Sequence, residues 1–102
     1  MTERELLEMA AKAAGYDVEW QAGLETGWMV GGSWWNPLTD DGDALRLAVA
    51  LQLHLDFRPG FVGVHRGRGP YIGECPREDV GDYAATRRAI VRAAAEIGRA
   101  MP

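Results

Sequence analysis

One cysteine, one serine and two histidines are all that this 102-residue chain holds of the side chains that most often do nucleophilic or metal chemistry. With Cys75 alone, no intramolecular disulfide can form, which fits a reducing compartment. Glu74 and Pro76 flank it and offer no activating charge, so Cys75 reads as a structural thiol. Ser33 has no G-x-S-x-G around it, and a Ser-His-Asp set would have to be invented. His54 and His65 fall on neighbouring expected strands, but a paired-histidine metal site needs a third ligand that spacing does not supply. No apolar run approaches the length of about 20 residues that spans a membrane. The opening "MTERELLEMA" is charged and helical, without the apolar core of a signal peptide, so the cytoplasm is the expected location. A strong excess of one charge is missing too. Fifteen acids against 11 bases give a net charge of -4, which argues against broad nucleic-acid binding. Most arginines lie after Arg58, so local basic patches stay open.

What is present is the composition of an ordinary globular protein, 47% hydrophobic and 25% charged. The length fits one domain, residues 1–102, around one core. So small a domain has little room for both a pocket and a core, and a homo-oligomer is the expected way to bury more surface.

Thr2 and Glu5 form a capping box, and "ELLEMAAKAA" continues as a helix with Leu6, Met9, Ala10 and Ala13 on one face and Gly15 as its stop. "YDVEW" alternates as a half-buried strand, "WMV" returns as its hairpin partner, and Gly31, Gly32 and Ser33 end it. Pro37 disfavours helix at Asn36, and Thr39, Asp40 and Asp41 are N-cap candidates for a second helix. That helix places Leu45, Ala48, Val49 and Gln52 along one side, with Leu47 and Leu51 adjoining. "LHLDF" alternates with Leu53, Leu55 and Phe57 inward. Pro59-Gly60 turns the chain into "FVGVH", and "YIGE" follows as a short third strand. "CPREDVGD" reads as a loop, with Asp82 as cap of a long Ala-rich last helix. The expected fold is α+β, in the order α-β-β-α-β-β-β-α, with a mainly antiparallel sheet covered by three helices.

Three segments, "ELLEMAAKAAGYDVEW", "WNPLTDDGDALRLAVALQL" and "YAATRRAIVRAAAEIG", resemble the phage ABA sandwich domain family, small proteins encoded in phages and prophages. The likeness runs in order along nearly the whole chain. It implies an α-β-α sandwich, a phage origin and a bacterial cytoplasm. It implies no chemistry, so no catalytic residue is carried over. Trp35, Asn36, Asp40, Asp41, Asp43, Tyr83, Thr86, Arg87 and Arg88 are matched positions that can equally be a structural signature.

Four clusters invite a functional reading. Asp40, Asp41 and Asp43 offer oxygen ligands close together, but capping and dipole compensation explain them unaided, and no EF-hand pattern follows. Trp34 and Trp35 alternate in an extended segment, so one packs inward and the other is free to stack on a base or a partner. Arg66 and Arg68, set between glycines in "HRGRGP", can hold a phosphate, although the P-loop ending is absent. Arg88, Arg92 and Arg99 on the last helix read as a solvated face with local pairs such as Arg92 to Glu96. The expected function is therefore a non-enzymatic phage-encoded protein that sequesters a small nucleotide signal against host defence. Trp34, Trp35, Asn36, Arg66 and Arg68 are its ligand-binding residues. No cofactor, no metal and no membrane is expected. The alternatives are a module that inhibits a host protein through the Trp34–Trp35 surface and a small metal-dependent phosphodiesterase.

Overall fold

Thr2 starts the first helix, α1 (Glu3–Ala14), as expected: its hydroxyl accepts from the Glu5 N–H, and the Glu5 carboxylate accepts from Thr2. Gly15, at φ 75°, closes the helix in the left-handed region. The computed structural model describes residues 1–78 and 81–102. Asp79 and Val80, within the expected 75–82 loop, lie outside the described residues. The buried stripe of α1 is Leu7, Ala10 and Ala11, turned by about one position from the face that periodicity suggested.

Next come β1 (Val18–Gln21), β2 (Gly27–Val30) and β3 (Ser33–Trp35). The third strand is a correction to the expected order. Gly31 and Gly32, at φ 57° and 82°, do not end the hairpin but make a two-residue turn inside it. Two successive positive φ values are what a type I′ turn requires, and glycine supplies both without strain. Val30 therefore faces Ser33, Met29 faces Trp34 and Trp28 faces Trp35.

Asp40 caps α2 (Asp41–Leu51) by accepting from the Asp43 N–H at 2.8 Å. This helix buries Ala44, Leu47, Ala48 and Leu51. Leu45 and Val49, expected on its inner side, are exposed. β4 (His54–Arg58), β5 (Phe61–His65) and β6 (Gly73–Pro76) form a second antiparallel meander, and α3 (Asp82–Arg99) closes the chain. Asp82 is the first residue of α3 rather than its cap; the cap position is Gly81. The third strand of this meander begins two residues later than "YIGE" suggested.

The fold is α+β in the order α-β-β-β-α-β-β-β-α, and its strands form two three-stranded antiparallel sheets instead of one. Its centre is α3, which buries Ala85, Ala89, Ile90, Val91, Ala93, Ala94, Ala95 and Gly98. Small side chains let neighbours approach closely. A Cβ at Gly98 would run into the Met9 backbone of α1, and one at Gly73 would run into the backbone of Ala89 and Ala93. One contiguous core joins α1, α2, α3, both sheets and the buried Cys75. No helix among the described residues is long and apolar enough to cross a membrane.

Candidate functional site

The register of the first sheet sets Trp20 beside Trp28 and Trp28 beside Trp35, a row of three indoles on one face. Trp20 and Trp28 meet edge to face, with centroids 5.1 Å apart. Trp35 takes Tyr16 as its edge-to-face partner at 5.8 Å. The first turn of α1 covers the other end of the row. The Trp28 Nε1–H donates to the Arg4 carbonyl at 3.1 Å, and the Arg4 guanidinium stands 4.1 Å from the Trp20 ring centroid.

Alternation then divides the adjacent pair. Trp35 is buried, 6% exposed, whereas Trp34 points to the other face and is 46% exposed. Its ring lies against Gly27, where only a hydrogen stands in place of a side chain. All four tryptophans of the chain line one cleft of about 330 Å³, together with Glu3, Arg4 and Asn36. That volume is at the lower end for small-molecule sites. Arg4 and Glu3 balance one another formally, so the cleft wall carries no net charge from these two residues.

Asn36 enters this cleft as a fixed wall. Its N–H donates to Asp43 at 3.0 Å, its Oδ1 accepts from the Leu38 N–H at 3.0 Å, and its carbonyl accepts from Asp40 N–H at 2.9 Å. The three aspartates that follow are all engaged within the protein, Asp40 and Asp43 sharing Arg46. Asp40 caps α2, Asp43 binds Asn36 and Arg46, and Asp41 pairs with Arg87 at 2.6 Å. Among the described residues no group of three or more His, Cys, Asp or Glu side chains is placed to hold a metal ion.

Arg66 and Arg68 belong to the β5–β6 connection on the second sheet, on either side of Gly67 at φ 64°. Both are exposed, and neither lines the tryptophan cleft. The expected binding residues thus separate into Trp34, Trp35 and Asn36 at the cleft and two arginines on another element. Arg4 is the guanidinium at the cleft, and no sequence motif marked it. The available signal was its position at i, i+3 and i+7 with the buried Leu7 and Ala11, a charge bordering the apolar stripe of α1.

Two of the helix-three arginines, Arg87 and Arg92, fasten elements together. Arg87 donates to the Leu38 carbonyl as well as to Asp41, and Arg92 donates to the Glu74 carbonyl at 2.8 Å. The pair expected between Arg92 and Glu96 is replaced by Arg99 to Glu96 at 2.9 Å.

A second group lies on the outer face of the second sheet. His54 and His65 are register partners with stacked rings 5.0 Å apart, and Tyr71 adjoins His65. The Tyr71 hydroxyl donates to Asp56, and Arg58 donates to the same carboxylate at 3.0 Å. The Tyr71 hydrogen bond first, and Arg58 after it, hold the Asp56 carboxyl below its ordinary pKa. Comparison with family models, with curated proteins and with solved structures gives no match to this chain.

Proposed function

We propose that this chain is a non-enzymatic binding protein that holds a small nucleotide in the tryptophan cleft. The observation that carries this reading is a cleft of about 330 Å³ bordered by all four tryptophans and Arg4, in which Trp34 offers the exposed ring while Trp28 and Trp35 are buried behind it. A nucleobase suits such a wall because every base presents a flat π-face, and indole is a large, rigid partner for it. Trp34 is the stacking platform, since it alone of the adjacent pair has an accessible ring. Arg4 is the group closest in kind to a phosphate ligand, while Glu3 beside it disfavours heavily charged chains. Arg66 and Arg68 stand on a different sheet and have no part in this wall. The resemblance to phage ABA sandwich proteins supports a setting in an infected bacterial cytoplasm, where withholding a nucleotide signal acts against host defence.

Calorimetry against mono-, di- and cyclic nucleotides tests the reading, with tryptophan fluorescence as a second signal. Base–aromatic stacking contributes about 1–3 kcal/mol, so Trp34→Ala is expected to weaken binding by roughly ten- to a hundred-fold. Nucleotide released by heat should be chemically intact. Hydrolysed product, lost on chelation, would replace sequestration by phosphodiesterase chemistry. Silence across the whole panel ends the nucleotide reading.

A further inference from the structure

The inner face of the second sheet is wider than the helix that covers it. Val62, Val64, Gly73 and Cys75 are buried there, facing α3. Leu55 and Phe57 of β4 share that face through their partners Val64 and Val62, yet they are 36% and 56% exposed. The shortfall is on the β4 side, where Leu45 of α2 and Tyr83 of α3 form the other walls of an apolar groove of about 510 Å³. Val49, one turn after Leu45, extends the patch and is 67% exposed. None of these residues lines the tryptophan cleft.

The same strand is an open edge. Among the described residues β4 pairs only with β5, so half of its backbone groups face outward. Arg58 and Phe61 flank the two-residue Pro59-Gly60 turn and bond to one another in such a hairpin. Alternation then points the N–H and C=O of Leu55 and Phe57 to the free edge. Edge strands are ordinarily protected by an inward-pointing charge, a bulge or a covering element. β4 has apolar residues at both inward positions. On the opposite edge of this sheet Arg92 takes up one outward group, the Glu74 carbonyl.

We propose that the occupant of this surface is a second copy of the chain, joined by antiparallel β4–β4 pairing about a two-fold axis. Charge selects the register. An axis through Asp56 would place Asp56 opposite its own copy, and like charges opposed across strands are unfavourable. An axis through Phe57 places each Asp56 opposite the other copy's Arg58, giving two opposite-charge pairs beside the existing Arg58–Asp56 pair. It also sets Phe57 against itself, where both strands present an N–H and a C=O, and Leu55 opposite Pro59, whose carbonyl accepts from the Leu55 N–H while its ring nitrogen donates nothing in return. The result is a six-stranded antiparallel sheet in which the exposed Leu55, Phe57, Leu45 and Val49 of each copy adjoin the other's, an isologous interface of the commonest symmetry.

Sedimentation equilibrium of the full chain is expected to show a species of twice the 11.2 kDa chain mass. Leu45 and Val49 are exposed on a helix surface, so Leu45→Glu/Val49→Glu leaves the fold intact by circular dichroism and raises the dimer dissociation constant at least ten-fold. Arg58→Asp is expected to dissociate the dimer by opposing two acids, and Asp56→Arg/Arg58→Asp to restore it. A chain that stays at 11.2 kDa at every concentration overturns the proposal. So does a dimer indifferent to Leu45→Glu/Val49→Glu, or one that the double charge exchange fails to restore.

Discussion

At the level of single residues, Gly98 opposes two effects whose magnitudes differ. In a helix interior, alanine is favoured over glycine by about 1 kcal/mol, so propensity alone makes Gly98→Ala stabilising. Packing says the reverse. The added methyl would meet the Met9 carbonyl, which is backbone and cannot swing aside as a flexible side chain does. Overpacking costs about 1–3 kcal/mol, and an obstruction made of backbone puts this site in the upper part of that range, so the variant is expected to lose up to about 2 kcal/mol net and to melt lower by up to roughly 10 °C. Thermal denaturation reads the sign directly. A raised melting temperature would mean that α1 and α3 separate easily at their crossing, contrary to the close approach seen there.

Elements show where local pattern is informative and where it is not. The capping box of α1 and the N-cap of α2 are interactions between residues three apart, and both were legible. Asp40→Ala is therefore expected to cost about 1 kcal/mol in urea denaturation, while Gly31→Asn should change stability little, because asparagine accepts the positive φ of a type I′ turn. A large loss in Gly31→Asn would contradict the turn assigned to the β2–β3 hairpin. That turn also hides β3 from local pattern: two glycines and a serine read as punctuation, although glycine pairs are a hairpin signal as well. Periodicity found the amphipathic faces of α1 and α2 only to within a turn of about one residue. In "ALRLAVAL" nearly every position is apolar, so pattern does not say which leucine meets the core. Leu45 and Val49 fell outside, and with them Leu55 and Phe57, because the width of the covering helix is a tertiary quantity. The cleft was half legible. Alternation separated Trp34 from Trp35, but nothing local joins Arg4 to Trp20, sixteen positions later, across a helix and a turn.

For the molecule as a whole, acid sensitivity follows from carboxylates placed on three different elements. Glu5 at the start of α1 is lowered in pKa by its Thr2 hydrogen bonds, Asp56 in β4 by Tyr71 and then Arg58, and Asp82 at the start of α3 by Arg77. Each is held below the ordinary carboxylate value of about 4 that it regains on unfolding. A depressed carboxyl binds its proton more weakly folded than unfolded. Its stabilisation is complete above the unfolded value and is lost as pH falls through the folded one. Asp82 and Glu5 are exposed and Asp56 is partly so, and each contribution is screened and modest, their sum setting the acid limb. The melting temperature is therefore expected to be level from pH 8 to pH 5 as far as these groups decide it, and to fall progressively below about pH 4.5. Asp82→Asn removes one titration and should flatten that fall, with a lower melting temperature at neutral pH, where Arg77 has lost its charged partner. A decline that begins between pH 7 and pH 5, unchanged in Asp82→Asn, would assign the pH dependence to other groups and would detach the Arg77–Asp82 pair from the stability of α3.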